Sequence, residues 1–283
     1  MRKYKVGVAA LASLAAFTLA ACGSSEPNAD SKSAGTGASQ KIVIGTSVGA
    51  PPYEFYKEGD TSTVLGYEPD LLQAAAKIMN VKIDYQVADY EALFNGLDAK
   101  RYDIVAYGLV DRKARQEKYD VLDYGKDASG FLGKVGSTAA LTKLTDLCGK
   151  TVSVQTGSSH DATLDAENKT CRQQGLPEIK LLRSKDLPGI ALAVTTDRAN
   201  YASSQVPLLA YNATQVKGLE VSDLTYLEGY VGFVLPKDSK WTKPLGEAID
   251  KLIADGTYKQ IMEKWGLGGL LVDATSVNGG TAD

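Results

Sequence analysis

Histidine, cysteine and excess positive charge are all scarce in this sequence. Its 283 residues include a single histidine, His160, and three cysteines, none of them in a CxxC pair. That set offers little to a metal ion, which proteins hold with clustered histidine, cysteine or carboxylate ligands. Lysine and arginine number 31 against 34 acids, and the formal net charge of -3 argues against nucleic acid and against a polybasic membrane-binding surface. We therefore predict no metal, no cofactor and no nucleic-acid partner.

An apolar stretch long enough to span a membrane is also lacking. The amino terminus has the basic residues Arg2, Lys3 and Lys5, followed by an apolar segment at residues 6–21. That order is typical of a secretory signal, and the segment is too short for a membrane span. Removing residues 1–21 removes three cations and no acid, which takes the formal net charge from -3 to -6.

The signal ends in Leu19-Ala20-Ala21-Cys22, which resembles the bacterial lipobox. The resemblance implies cleavage before Cys22, a diacylglyceryl group on its sulfur and usually an acyl chain on its new amine. Several acyl chains, at about 0.8 kcal/mol per buried methylene, hold a protein stably on a membrane surface. The alternative is an ordinary signal followed by a chance cysteine. We expect an extracytoplasmic protein, lipid-anchored through Cys22 to the outer face of the cell membrane.

With Cys22 assigned to the lipid, two cysteines remain, Cys148 and Cys171, in an oxidising compartment. We expect them to form a disulfide. The bridge would close a loop of about two dozen residues and contribute about 3 kcal/mol to stability. The alternative use of these cysteines, in a metal site, has only His160 to support it.

The chain is long enough for one large domain or two ordinary ones, and a hydrophobic fraction of 44% can fill real cores. Residues 23–40 are rich in Ser, Gly, Ala and Asn, which predicts a flexible tether. The next elements are a strand at 41–45, a helix capped by Asp70, a strand at 81–85, a helix at 90–99 and a strand at 104–106. This alternation predicts an α/β fold with a parallel sheet and helices on its faces.

A second series of the same kind follows Tyr124, after a glycine-containing connection. Its predicted elements are a strand at 150–154, a helix N-capped by Ser158 or Ser159, a strand at 179–182, a helix at 187–194, a strand at 200–203, a helix at 205–211, a strand at 229–235 and helices at 243–254 and 257–265. The composition beyond Gly266 predicts a flexible tail.

The stretch DIVAYGLVDRKAR, from Asp103 to Arg115, predicts a buried strand that runs into a helix with a polar, cationic start. Gly108 lets the backbone approach another group closely. A guanidinium presents a planar set of donors to two carboxylate oxygens at once, and the free N–H groups at a helix start can add to it. We therefore predict that Arg115 binds a carboxylate. The alternative is a solvated helix arginine.

A series of short motifs follows the same order along the chain. They are PPYEF at 51–55, GYEPDL at 66–71, LDAKRYD at 97–103, Arg115, DLCGKTV at 146–152, QTGS at 155–158, ADGTY at 254–258 and EKWG at 263–266. Together they resemble the bacterial extracellular solute-binding proteins of family 3, the polar amino-acid-binding lipoproteins of ABC importers. The resemblance covers essentially the whole mature fold, and the cysteine pair is similar to that of actinobacterial relatives.

The resemblance implies a periplasmic-binding-protein fold, in which two α/β lobes with parallel-rich sheets are joined by two hinge strands and clamp the ligand between them. Lobe one would comprise residues 41–128 and 230–268, and lobe two residues 129–229, with a lipidated tether at 22–40 and a flexible tail at 269–283. Closing such a cleft excludes water and strengthens each polar contact. The partner implied is an ABC permease, and we expect a monomer.

The resemblance also implies roles for individual residues. Arg115 would bind the ligand carboxylate, Ser158 or Ser159 would donate to it, and Tyr90 would line the side-chain pocket. The full predicted set of ligand-binding residues is Arg115, Ser158, Ser159, Tyr90, Tyr107, Gly108, Val110, Ser47 and Gln205.

Four positions depart from the pattern of the family. Ser47 stands where many relatives have an acid, and Ala50 where they often have an aromatic residue. Val110 replaces a usual hydroxyl residue, and Gln205 replaces the acid that holds an α-ammonium. An ammonium held by no carboxylate in a closed cleft is poorly compensated.

These departures put a plain α-amino acid in doubt, unless Glu91, Asp103 or Asp111 points into the cleft. Ala50 leaves room for a larger ligand. Aromatic faces with polar tips are offered by Tyr53, Tyr67, Tyr90 and Tyr107. The hypothesis that follows is a ring-bearing, N-alkylated or otherwise modified carboxylate.

Two other functions use the same scaffold, an extracytoplasmic dehydratase-like enzyme acting on a cyclic carboxylate and a ligand sensor. An enzyme needs a positioned general acid or base. Glu91, Asp103 and His160 are candidates, but none stands out, and His160 is interpreted as a capping or surface residue. Arg112 is interpreted as exposed, and the alternative is a second cation facing a dicarboxylate. We predict a binding protein without catalytic residues, and the lack of a signalling segment disfavours the sensor.

Overall fold

The structure is a computed structural model that describes residues 40–281. The predicted signal sequence, the lipidation site at Cys22 and the tether up to residue 39 lie outside the described residues. Within the described part of the chain, no helix combines the length and the apolar character needed to cross a membrane.

Twelve strands and eight α-helices form the described fold. The strands are β1 Lys41–Thr46, β2 Phe55–Tyr56, β3 Val64–Leu65, β4 Lys82–Val87, β5 Ile104–Val110, β6 Tyr119–Lys134, β7 Thr151–Gln155, β8 Lys180–Ser184, β9 Tyr201–Gln205, β10 Leu219–Val221, β11 Tyr226–Pro236 and β12 Ser276–Val277. The helices are α1 Tyr67–Met79, α2 Tyr90–Asp98, α3 Lys113–Gln116, α4 Ser159–Gln173, α5 Leu187–Thr195, α6 Val206–Gln215, α7 Thr242–Ala254 and α8 Thr257–Lys264.

The main sheet has the strand order β4-β1-β5-β11-β6-β9-β7-β8. Strands β4, β1 and β5 are parallel to one another, and so are β9, β7 and β8. Between the two parallel groups, β11 and β6 are antiparallel to each other and to their outer neighbours β5 and β9. The predicted α/β fold is confirmed, but the two parallel-rich sheets that we predicted are two halves of a single sheet, with β6 and β11 between them. The two halves are continuous in one hydrogen-bonded sheet because β6 and β11 pair along most of their length.

Strand β6 is the element that the sequence predicted least well. Its 16 residues contain Gly125, Gly130 and Gly133, which indicated a connection rather than a strand. In the structure most of β6 is buried, because four other strands pair with it. A Cβ atom on Gly133 would lie 2.6 Å from the Ser137 hydroxyl oxygen. This glycine therefore serves close packing and does not break the strand.

Helix α1 begins earlier than the sequence predicted. Asp70 was expected to cap it, but the N-cap is Gly66, with φ 141°, and the first helical N–H donates to the Pro52 carbonyl at 3.0 Å. Asp70 lies in the first turn and accepts from Lys264 Nζ at 2.7 Å and from Trp265 Nε1 at 2.9 Å. The capping prediction was wrong because this carboxylate ties α1 to the end of α8.

The carboxy-terminal segment also differs from its prediction. Residues 269–283 were expected to form a flexible tail, whereas β12 pairs with β6. Beyond it, the Gly279 N–H donates to Asp123 at 2.9 Å and the Gly280 N–H donates to Asp111 at 2.6 Å. Both carboxylates are buried and gain donors from the tail. Up to residue 281, the segment is therefore held against the sheet.

Two apolar clusters fill the interior. The larger one packs under β1 and β5 against α1 and α7 and extends toward α5 and α6. The smaller one surrounds Phe131, Val152 and Leu164. It contains the predicted disulfide between Cys148 and Cys171, which is formed, with sulfur atoms 2.02 Å apart and a sequence separation of 23.

Candidate functional site

A small cavity lies where three strands of the two parallel groups end. Strand β5 ends at Val110, β7 at Gln155 and β9 at Gln205. The cavity has a volume of about 20 Å³ and is lined by Tyr90, Tyr107, Gly108, Leu109, Val110, Arg115, Gln155, Ser158, Ser159, His160, Leu187, Ser204 and Gln205. Carboxyl ends of parallel strands are where open α/β sheets place their ligands, because helix starts and loops converge there.

The structure brings together eight of the nine predicted binding residues around this cavity. The exception is Ser47, which follows β1, is half-buried and does not line the cavity. The sequence prediction missed Leu109, Gln155, Leu187 and Ser204. Gln155 and Ser204 lie at or next to the ends of predicted strands, and the preference of ligands for strand ends could have identified them.

Arg115 is the buried cation of the cavity. Only 7% of it is exposed, its Nη1 donates to the Val110 carbonyl, and its guanidinium lies 5.3 Å from the centre of the Phe94 ring. Burial lowers the pKa of Arg115, yet an arginine in a protein stays charged. No carboxylate of residues 40–281 forms an ion pair with it. The alternative of a solvated helix arginine is therefore wrong.

Gly108 is the fixed backbone element of the cavity. Its φ of 55° lies in the left-handed region, and a Cβ atom there would come within 2.5 Å of the Tyr53 ring. Its N–H donates to both carboxylate oxygens of Glu68, each at 3.1 Å, and its carbonyl accepts from Gln205 Nε2. The peptide is thus held from both sides, and its carbonyl oxygen points toward the other half of the sheet.

Helix α4 begins at the cavity. Its N-cap is Ser158, one of the two serines predicted for this role, and the Ser158 Oγ accepts from the Asp161 N–H at 3.1 Å. The N–H groups of Ser159 and His160 lie in the first helical turn and have no carbonyl four residues earlier within the helix. They form the positive end of a 15-residue helix, a favourable environment for an anion.

His160 lines the cavity and is not the surface residue that the sequence indicated. It is 4% exposed, and its Nε2 lies 3.0 Å from the Ser129 hydroxyl. Burial, with the charges of Arg112 and Arg115, lowers its pKa to about 3, so the imidazole is neutral at physiological pH. Arg112 is half-buried, although it was expected to be exposed. Within residues 40–281, no group of three or more His, Cys or acid side chains is arranged to hold a metal ion.

A layer of buried acids and tyrosines supports the cavity from below. The Tyr53 hydroxyl donates to Asp127 at 2.5 Å, and the Tyr124 hydroxyl donates to Glu68. The hydroxyls of Tyr67 and Tyr124 are 3.1 Å apart. Tyr53 and Tyr67 are therefore core residues that hold this layer, and the PPYEF and GYEPDL motifs act on the cavity through Glu68 and Gly108.

Asp127 makes stability depend on pH. Burial raises its pKa to about 7, against the opposing hydrogen bond from Tyr53. Since this pKa exceeds that of the unfolded chain, the free energy of unfolding falls as pH rises from about 4 to about 7. Between pH 5 and pH 7, we expect the melting temperature of the wild type to fall by a few degrees more than that of Asp127→Asn. The control is Asp223→Asn, at an exposed acid, and equal pH slopes for wild type and Asp127→Asn would contradict this prediction.

These features define a candidate site for a small solute at the strand ends of the two parallel groups. The sequence profile of the bacterial extracellular solute-binding proteins, family 3, matches residues 42–268. The chain belongs to this family. The family is extracellular, in agreement with the secretory signal that the sequence predicts.

Named relatives agree with this assignment. The chain is 28% identical over 244 residues to the arginine-binding protein ArgT of Corynebacterium glutamicum, covering 84% of this chain and 78% of that protein. It is 27% identical over 252 residues to the arginine-binding extracellular protein ArtP of Bacillus subtilis, covering 88% and 92%. These relatives are solute-binding proteins.

Solved structures have the same fold. A putative L-cystine ABC transporter from Listeria monocytogenes superimposes with a TM-score of 0.71 at 25% identity, covering 83% of this chain and 99% of that one. An ancestral arginine-binding protein bound to arginine gives a TM-score of 0.71 at 23% identity, covering 80% and 97%.

Proposed function

We propose that this protein captures an amino acid or amino-acid-like small carboxylate between two lobes and delivers it to an ABC permease. The observation that carries the proposal is Arg115, a buried cation without an acidic partner among residues 40–281, beside the first N–H groups of α4. A guanidinium and free helix N–H groups together bind a carboxylate by charge-assisted hydrogen bonds. Tyr90 and Tyr107 then form the wall beside the solute side chain.

Solute entry requires the cavity to open. A volume of about 20 Å³ accommodates little more than one water molecule, whereas small-molecule sites enclose several hundred Å³. The lobes that separate are residues 41–128 with 230–268, and residues 129–229. Strands β6 and β11 connect them and serve as the hinge. Opening breaks the hydrogen bond between Gln205 and Gly108, and closure around the solute makes or replaces it.

Delivery requires the protein to stay near a membrane transporter. The lipobox-like Leu19-Ala20-Ala21-Cys22 supports a lipid anchor on Cys22, and relatives and similar structures are named as binding proteins of amino-acid ABC transporters. A monomer is sufficient for this role, because one chain carries both walls of the cavity.

Binding proceeds without a chemical change to the solute. Of the candidate bases, Glu91 is exposed, and Asp103 lies before the first residue of β5, where it accepts from the Val43 N–H at 2.8 Å. His160 is neutral and paired with Ser129. This arrangement supports a binding protein with no catalytic residue.

A thermal-shift screen of the purified protein tests the proposal. The screen compares amino acids, N-acetylated amino acids and 2-oxo acids with the primary amide of each compound, which lacks the negative charge. Solutes that bind the folded state raise the melting temperature by mass action. We expect some of the acids to raise it and their amides to have little effect. Equal shifts with acids and amides, or none with any acid, would contradict the proposal.

A further inference from the structure

The cavity at Arg115 has an unbalanced charge. One cation lines it, His160 is neutral, and none of the described residues that line it is an acid. A second guanidinium is near, because the charge of Arg112 acts on both Arg115 and His160. The Arg112 Nε is buried and has no hydrogen-bond partner among residues 40–281. The described residues that line the cavity therefore carry positive charge and no carboxylate, and the charge of Asp111 acts on Arg115 from outside the lining.

Five acids are adjacent in sequence to the lining residues, and none of the five lines the cavity. Three of them, Asp89, Glu91 and Asp186, are exposed. The other two, Asp111 and Asp161, form hydrogen bonds outside the cavity. Asp111 accepts from Gln116 Nε2 at 3.0 Å and from the Gly280 N–H at 2.6 Å. Asp161 accepts from Arg183 Nε at 2.9 Å and from the Gly157 N–H at 3.0 Å. Neither of them lines the cavity. A cationic group on the solute would find no counter-charge among the described residues there.

Gln205 donates to a backbone carbonyl that lines the cavity. Its Nε2 donates to the Gly108 carbonyl, which belongs to the opposite half of the sheet. The amide is oriented by Ser204, whose Oγ donates to the Gln205 Oε1 at 2.9 Å. The Val110 carbonyl is likewise occupied, by Arg115. A neutral side-chain amide thus bridges the two walls at this point.

The energetics follow from burial. An ammonium enclosed without a carboxylate loses its hydration and gains only dipoles in return, which is unfavourable in a water-excluding cleft. Binding of a carboxylate that carries no cationic group is favourable, because the carboxylate compensates the buried charge of Arg115. A neutral oxygen can accept from the Gln205 Nε2, and it is attached to the α-carbon in a 2-oxo or 2-hydroxy acid and belongs to the acyl carbonyl in an N-acylated amino acid.

We propose that the solute is a carboxylate with no α-ammonium, either a 2-oxo or 2-hydroxy acid or an N-acylated amino acid. Gln205 donates a hydrogen bond to the neutral group at the α-position, and Arg115 binds the carboxylate. This inference rests on the proposed function, since it presupposes that the cavity binds a carboxylate.

Calorimetric titration with matched compounds tests the charge requirement. The probes are arginine, glutamine and leucine, each compared with its 2-oxo acid and its N-acetyl derivative. We expect the amine-free or acylated member of a set to bind at least about tenfold more tightly than the free amino acid. Equal or tighter binding of the free amino acid would overturn the inference and leave the proposed function intact. Failure of every probe would overturn the proposed function and the inference with it.

Substitution of Gln205 tests the residue assignment. Gln205→Glu places a carboxylate opposite the Gly108 carbonyl and is expected to change the affinity ratio by about tenfold in favour of the free amino acid. The matched control is Gln215→Glu, which makes the same charge change at an exposed position at the far end of α6. An unchanged ratio in Gln205→Glu would overturn the role of Gln205. If that variant does not fold, Gln205→Met, which removes the donor without adding charge, is expected to weaken the 2-oxo and N-acetyl compounds, and undiminished affinity would overturn the role equally.

Discussion

Arg115→Ala abolishes solute binding, and the dissociation constant rises by at least about a hundredfold. Truncating one member of a buried, hydrogen-bonded charge pair costs about 2–5 kcal/mol, and each 1.4 kcal/mol corresponds to about tenfold in affinity. Calorimetric titration with a solute that stabilises the wild type measures the loss. Arg115→Lys keeps the charge but not the planar donor set, so its affinity is expected to lie between those of the wild type and the alanine variant.

The control for this prediction is Arg198→Ala, at an exposed arginine. It should bind like the wild type. The solute-free melting temperature of Arg115→Ala should fall modestly, because the substitution removes the buried hydrogen bond to the Val110 carbonyl and the contact with the Phe94 ring, and it serves as the check that the variant is folded. Wild-type affinity in Arg115→Ala would contradict the assignment of this residue as the carboxylate-binding group.

Gly66→Ala strongly destabilises the fold. Gly66 has φ 141°, and a Cβ atom there would lie 1.6 Å from the Tyr53 carbonyl oxygen, which is backbone and cannot rotate away. Strain in φ and overpacking each cost about 1–3 kcal/mol, so we expect a loss of about 4 kcal/mol in the free energy of unfolding. Chemical denaturation monitored by circular dichroism measures it.

The matched control is Gly59→Ala. Gly59 also has a left-handed φ, of 75°, but a Cβ atom added there would have no neighbour within 4 Å among the described residues, and the residue is exposed. This variant isolates the cost of the backbone conformation, about 1 kcal/mol. If both variants lost the same stability, the close approach between Gly66 and the PPYEF motif would not be important for the fold.

Local signals in the sequence predicted the centre of the site well. Arg115 was identified from a buried strand followed by a cationic segment, and Ser158 from its capping position. Both predictions depend on neighbours in sequence, which local patterns describe. Gln205 was identified by comparison with the family pattern, because nothing around it in the sequence indicates that its amide reaches Gly108.

Long-range contacts account for the predictions that failed. Tyr53 and Tyr67 were offered as faces for the solute, but hydrogen bonds to Asp127 and Tyr124 hold them in the core. Their partners are more than fifty residues away in the sequence. His160 is buried by packing against β6. The glycines of β6 had indicated a connection rather than a strand, so the sequence did not predict this contact. Periodicity and capping rules contain no information on such contacts.

The same reason applies to the carboxy-terminal segment. Its glycine-rich composition is typical of a flexible tail, yet Gly279 and Gly280 are the residues that fit against Asp123 and Asp111. A Cβ atom on Gly280 would approach the Asp111 backbone carbonyl to 2.3 Å. Gly280 is therefore needed because it has no side chain, and not because its backbone is flexible.

A crystal structure of the protein with the strongest-binding carboxylate of the titration panel tests the central claim most directly. The account predicts the carboxylate on the Arg115 guanidinium, within hydrogen-bond distance of the first N–H groups of α4, and a neutral group at the α-carbon facing the Gln205 Nε2. A carboxylate bound away from Arg115 would contradict the account of the site. An ammonium group bound against the Gly108 carbonyl would contradict the inference on the solute.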